Sequence, residues 1–307
     1  MTAADAAHQI PYSDRLCAAI DEAGTPACVG IDPVLERLPP GIGATTDLDR
    51  LRAFCLGVVE AVAGVVPAIK PQSACYERFG SAGVAVLEAV CARAKELGLV
   101  VVLDVKRGDI GSTADHYAAA AVGMGADAVT VNGYMGRSAV EPFLKSPRGA
   151  GLGVYVLVRT SNPDSDELQA DRLGSGETVA ERMAAIVGDL GSGRLGARGT
   201  SQVGAVVGAT KSAGEVAALR ALMPDAPILV PGVGAQGGTI AQVTPLVRAG
   251  AATLGEAGVL INASRSVIFP SGTETGAETG ESDDWRGAIR SAAVGFARDC
   301  AGVRPGA

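Results

Sequence analysis

Eight times along this chain a short run of β-branched and other apolar residues gives way to an Ala- and Leu-rich stretch. That alternation constrains the fold more than any other feature. The runs lie at 27–31, 65–70, 99–105, 128–131, 153–158, 202–207, 227–230 and 258–262. Most are continuously apolar, the pattern of parallel strands buried on both faces. Between them helices are expected at 48–63, 81–97, 113–123, 138–145, 177–190, 212–222 and 239–248, and 285–301 closes the series. Asp47 is placed to cap the first of these and Gly98 to end the second. Strand and helix in alternation make a parallel sheet of the α/β class. Eight repeats close it into a (β/α)8 TIM barrel rather than an open sheet. The chain has 307 residues, which suits one barrel of about 250 residues with extensions. Residues 1–307 therefore read as a single domain. An extra N-terminal helix near 13–23 is positioned to plug or flank the barrel.

Hydrophobic residues make up 48% of the chain and charged ones 19%, enough to bury a core, while only 4% are aromatic. Ala, Val, Leu and Ile must therefore do most of the packing. The net charge of -7 argues against nucleic acid or a membrane as a main partner. A small anionic substrate responds to local charge and is not excluded. Cys17, Cys28, Cys55, Cys75, Cys91 and Cys300 are scattered without metal-like spacing and read as buried free thiols. With His8 and His116 as the only histidines, a His-rich metal site is not expected. The start, MTAADAAHQIPYSDR, lacks the basic and apolar regions of a signal peptide. No apolar run reaches the roughly 20 residues of a membrane helix. A soluble cytoplasmic protein is expected.

Two polar stretches break the pattern. Residues 161–178 directly follow a strand end, where barrels carry functional loops, and read as a lid. Residues 271–284, SGTETGAETGESDD, read as a flexible acidic insertion before the last helix.

Catalytic groups of such barrels sit at the C-terminal ends of strands. Asp32 ends the first run, Lys70 the second, and Asp104 and Lys106 the third, with Asp109 in the turn beyond. Asp104 and Lys106 are two apart, so on a strand they share a face. Facing the helix layer would bury both charges in apolar packing at high cost. Both are expected to point into the barrel mouth, where Lys70 can join them.

The segment VPGVGAQGG at 230–238 ends the seventh run. Its glycines allow close backbone approach, and a helix starting near Thr239 would offer free N–H groups and a favourable dipole to an anion. Arg265 follows the eighth run as a bidentate phosphate partner. Loops after strands seven and eight are the usual phosphate site of these barrels.

Together these residues resemble the orotidine 5′-monophosphate decarboxylase family. DVKRGDIGST matches its DxKxxDIxxT core, with Asp104, Lys106, Asp109 and Thr113 in register, and PGVGAQGG followed by SRS matches its phosphate elements. The likeness runs from GID at 30–32 to Arg265, and KPQSACYERFG and VRTSNP look like the longer bacterial branch. The resemblance implies conversion of orotidine 5′-monophosphate to uridine 5′-monophosphate in de novo pyrimidine biosynthesis. It implies no metal or organic cofactor, and a homodimer with shared active sites. Lys106 would donate a proton to C6. Asp104 would lie against the substrate carboxylate, and Lys70 would position Asp104 and a ribose hydroxyl. Asp109, accompanied by Thr113, would reach into the partner's site, and Asp32 would bind ribose. Gln236 and Arg265, with Gly234 beside them, would hold the phosphate. Either Thr160 or Ser161 would contact the pyrimidine, with Ser161 preferred.

Two rivals share parts of this pattern. Related magnesium-dependent sugar-phosphate lyases carry Asp-x-Lys-x-x-Asp but resemble one another in placing a glutamate at the end of strand two. Lys70 stands there, and an ammonium repels a metal. A non-catalytic nucleotide-binding barrel would have no need for Lys70, Asp104, Lys106 and Asp109 together.

Overall fold

A computed structural model of the chain describes residues 10–42, 44–145, 152–233, 238–270 and 284–303. Parallel strands close into a barrel in sequence order. They are β1 (Ala27–Ile31), β2 (Ala68–Pro71), β3 (Val100–Arg107), β4 (Ala128–Val131), β5 (Gly153–Arg159), β6 (Val203–Val207), β7 (Ile228–Pro231) and β8 (Val259–Ala263). Each overlaps its expected run. The longer helices are α1 (Tyr12–Ala23), α2 (Asp47–Val62), α3 (Gly80–Glu96), α4 (Gly111–Gly123), α5 (Arg137–Lys145), α6 (Val179–Gly191), α7 (Ala213–Leu222) and α8 (Trp285–Cys300). None of the described helices is long and apolar enough to cross a membrane.

Local chemistry sets the boundaries. Thr46, not Asp47, caps α2, because its hydroxyl accepts the Asp49 N–H at 3.1 Å. Gly98 does end α3, in the left-handed region at φ 77°. Helix α6 starts after Thr178 because Thr178 and Glu181 form a reciprocal capping box. The helix expected from Thr239 is instead a 3₁₀ segment, Ile240–Leu246. Pro245 lies within it and has no N–H to continue an α-helix. The acidic stretch 271–283 lies outside the described residues, but Asp284 is the N-cap of α8 and accepts the Gly287 N–H at 2.8 Å.

Alternation divides each strand between two cores. One face packs under the helix layer. The other fills the barrel with Cys28, Ala68, Val100, Val102, Ala128, Tyr155, Val206, Leu229 and Leu260. Tyr12, Leu16 and Ile20 of α1 belong to this inner cluster, so the extra helix plugs the barrel. The Tyr12 and Tyr155 hydroxyls lie 2.8 Å apart. Arg15 of α1 meets Asp127, which precedes β4, at 2.9 Å. All six cysteines are free, and Cys75 alone is not fully buried. With one end plugged, access to the interior is confined to the other. Two register irregularities occur near that end, between Leu103 and Arg107 on β3 and between Leu157 and Arg159 on β5.

Candidate active site

The C-terminal ends of the strands enclose a cavity of about 520 Å³, a volume suited to a nucleotide-sized molecule. Asp32, Lys70, Asp104, Lys106, Thr160, Ser161 and Arg265 all line it. Asp109 and Thr113 do not. Asp109 sits in the loop after β3, where its Oδ1 accepts the Ile110 N–H at 2.8 Å, and Thr113 lies in the first turn of α4. Gly234 and Gln236 fall outside the described residues.

The charges alternate. Lys70 Nζ donates to Asp104 Oδ2 at 2.7 Å and lies 3.9 Å from Asp32 Oδ1. Lys106 Nζ donates to Asp104 Oδ1, also at 2.7 Å. Burial disfavours the Asp104 charge, but Lys70 and Lys106 outweigh it and hold the carboxyl well below the usual carboxylate range. Burial likewise works against the Lys70 ammonium, and Asp32 and Asp104 more than offset it, so its pKa is raised. The four groups form a line of opposite charges, with Lys70 and Asp104 buried and Lys106 and Asp32 open to the cavity, the kind of preorganised field that favours one charge distribution in a ligand.

Lys106 is the only non-glycine among the described residues with positive φ, at 43°. That conformation costs about 1–3 kcal/mol and persists only when the surroundings enforce it. Thr130, on β4, supplies the enforcement. Its hydroxyl oxygen accepts the N–H groups of Val105 at 3.0 Å and Lys106 at 2.9 Å, and the hydroxyl donates to Asp104 Oδ1 at 2.7 Å. The β3 irregularity is therefore pinned by one buried side chain.

Sequence reasoning missed Thr130, Gln72, Gln169 and Asn262, all of which line the cavity. Thr130 and Asn262 were visible as lone polar residues in the apolar strands AVTV and VLINA. Gln72 lies two residues beyond Lys70 and donates to Asp104 at 3.4 Å. Asn262 Oδ1, Ser264 Oγ and Asp32 Oδ1 are buried without a hydrogen-bond partner. Buried polar atoms are rarely left so, and here they face the same cavity. Of the residues expected at the phosphate, Arg265 stands in the cavity wall, as does Gly232 of the glycine-rich segment. No α-helix starts at Thr239, whose N–H is taken by Gln242 Oε1 at 2.7 Å. Among the described residues, no three His, Cys, Asp or Glu side chains converge to hold a metal ion.

The profile of the orotidine 5′-phosphate decarboxylase / HUMPS family matches residues 15–278. The chain belongs to this family. It is 39% identical over 298 residues to an orotidine 5′-phosphate decarboxylase of Rhodopirellula baltica, covering 92% of this chain and 96% of that one. It is 44% identical over 256 residues to the enzyme of the same name from Deinococcus radiodurans, covering 82% and 87%. Among solved structures, Leishmania donovani OMP decarboxylase superposes with a TM-score of 0.70 at 31% identity, covering 92% of this chain and 95% of that one. In this member of the orotidine 5′-phosphate decarboxylase family, two residues of the Asp-x-Lys-x-x-Asp pattern, Asp104 and Lys106, stand in the cavity. The third, Asp109, does not.

Proposed function

We propose that this protein decarboxylates orotidine 5′-monophosphate to uridine 5′-monophosphate in pyrimidine biosynthesis. The observation that carries the reading is the Asp32–Lys70–Asp104–Lys106 line, set in a cavity that also holds Arg265. The phosphate binds at Arg265 and the loop after β7, with Gly234 and Gln236, and the ribose at Asp32 and Lys70. The ring carboxylate then lies against Asp104. When the C6–carboxylate bond breaks, its electron pair stays on C6, carbon dioxide leaves, and Lys106 Nζ gives its proton to C6. A fixed ammonium beside C6 stabilises that developing charge more than the ground state. Phosphate binding offsets the cost of placing one carboxylate beside another. No metal or organic cofactor takes part.

Ser161, rather than Thr160, contacts the pyrimidine. Thr160 is already engaged, since its hydroxyl accepts from Gln169 at 2.7 Å and donates to Asn162 at 2.6 Å. Residues 1–307 act as one barrel unit in the cytoplasm, and two copies pair. Asp109 and Thr113 complete the neighbour's site. Support for the pairing comes from exposed apolar side chains, Ile110 beside Asp109 at 61% and Tyr134 in the turn after β4 at 80% exposure. A magnesium-dependent sugar-phosphate lyase, also within the family's range, is disfavoured by Lys70 at the end of β2.

The test is absorbance loss on adding orotidine 5′-monophosphate to the purified protein in excess EDTA, with Lys106→Ala as control. Conversion by wild type alone is expected. No conversion, with magnesium-restored activity on a sugar phosphate, would overturn the assignment.

A further inference from the structure

The loop after β5 is held far more tightly than a free lid. Arg159, at the end of β5, is buried, with a side chain only 3% exposed. Its guanidinium spans to Glu215 of α7 at 2.5 Å, Asp166 at 2.5 Å and Ser165 at 3.0 Å. Lys211 adds a second cation on Ser165 at 2.9 Å and Asp166 at 3.0 Å. This cluster fixes the short helix Asp166–Gln169. Its last residue, Gln169, then turns back to the strand end and grips Thr160 twice. Gln169 Oε1 accepts the Thr160 N–H at 2.8 Å and Nε2 donates to the Thr160 hydroxyl at 2.7 Å. Arg159 itself donates to the same Oε1 at 3.4 Å. Gln169 also lines the cavity.

Ser161, next in sequence, is confined from its other side. A Cβ placed on Gly208, just beyond β6, would lie 3.1 Å from Ser161 Cβ. Ser161 therefore has Gly208 behind it and the clamped Thr160 before it. Among the described residues no hydrogen bond engages its side chain.

We propose that Gln169, anchored by Arg159, is a positioning residue that fixes Ser161 against the base of the nucleotide. The inference rests on the proposed function and names the part of the substrate that this wall reads. Gln169 acts through Thr160 on Ser161, and the effect is confined to the base end of the cavity. The ribose is held from the ends of β1 and β2, and the phosphate from the ends of β7 and β8.

The test compares inhibition by uridine 5′-monophosphate with inhibition by ribose 5-phosphate, which has the sugar and phosphate but no base. In Gln169→Ala, uridine 5′-monophosphate is expected to bind roughly tenfold more weakly, the scale of a lost positioning hydrogen bond, with ribose 5-phosphate within about twofold of wild type. Gln169→Glu keeps the acceptor for the Thr160 N–H and should recover part of the loss. Gly208→Ala pushes Ser161 from behind and should reproduce the base-selective defect, which keeps the test open if Gln169→Ala folds poorly. Equal weakening of both ligands, or of neither, in folded variants would overturn the inference. A wild-type protein that neither converts orotidine 5′-monophosphate nor binds its product would instead overturn the function itself.

Discussion

The Thr130 hydroxyl lies 2.9 Å from the backbone N–H of Lys106, the residue whose main chain is held in the left-handed region. One side chain on β4 thus sets the direction of the ammonium on β3. Thr130→Val keeps the shape but removes the acceptor for two N–H groups and the donor to Asp104. A shift of about 1 Å in a reacting group can cost on the order of 100-fold in rate. We expect kcat for orotidine 5′-monophosphate to fall by about that factor, with KM changed only a few-fold, and Thr130→Ser to restore most of it. An unchanged kcat in Thr130→Val would show that Lys106 is aimed without this contact.

Asp104 governs how the barrel mouth responds to acid. Its carboxyl titrates well below the ordinary range because Lys70 and Lys106 outweigh its burial. The folded pKa is lowered, so the stabilisation is complete above the unfolded value of about 3.9. It drains as the pH falls from there toward the folded value. Urea midpoints at pH 7 and pH 3 should fall further for wild type than for Asp104→Asn, which has no carboxyl to protonate at this site. Asp104→Asn should also be inactive at every pH. Parallel losses in the two proteins would assign the acid sensitivity elsewhere.

Asp109 does not line the active-site cavity, which makes the proposed shared site testable. Lys106→Ala and Asp109→Ala should each be nearly inactive. Mixed under subunit exchange, half the dimers are hybrids with one intact site, so activity should return to roughly a quarter of wild type. Exchange proven by mass spectrometry without recovery would place Asp109 outside the chemistry.

The plug helix carries a stability prediction. Tyr12 is fully buried against Gly153, where a Cβ would come within 2.1 Å of its ring. Tyr12→Ala should cost about 3–5 kcal/mol, as for other large aromatic truncations in a core. Tyr12→Phe should cost about 1 kcal/mol, for the lost bond to the Tyr155 hydroxyl. Thermal and urea unfolding measure both. Activity at low temperature should be preserved, because the change lies at the end of the barrel opposite the cavity.

The residue pattern determined a good deal by itself. Continuous apolar runs with a period of strand and helix can close in few ways, so the eight strands and the barrel were legible before any coordinate. Charges at strand ends were legible for the same reason, since Asp104 and Lys106 could not be buried in the helix layer. Local chemistry was read less well. Asp47 and Thr46 are both good caps, and which one accepts an N–H depends on backbone angles that composition does not report. At Thr239 the apolar pattern continued while Pro245 removed a donor.

What only the tertiary structure decided was the meeting of residues far apart in the chain. Thr130 and Lys106 are on neighbouring strands, and Gln169 and Thr160 are joined by a loop folded back on itself. Arg159, at the end of β5, meets Glu215 in the first turn of α7. Each contact depends on barrel register and on where the register breaks, and those are settled by packing the whole barrel at once. The sequence set which chemical groups the barrel mouth would hold; the closed sheet set which of them touch.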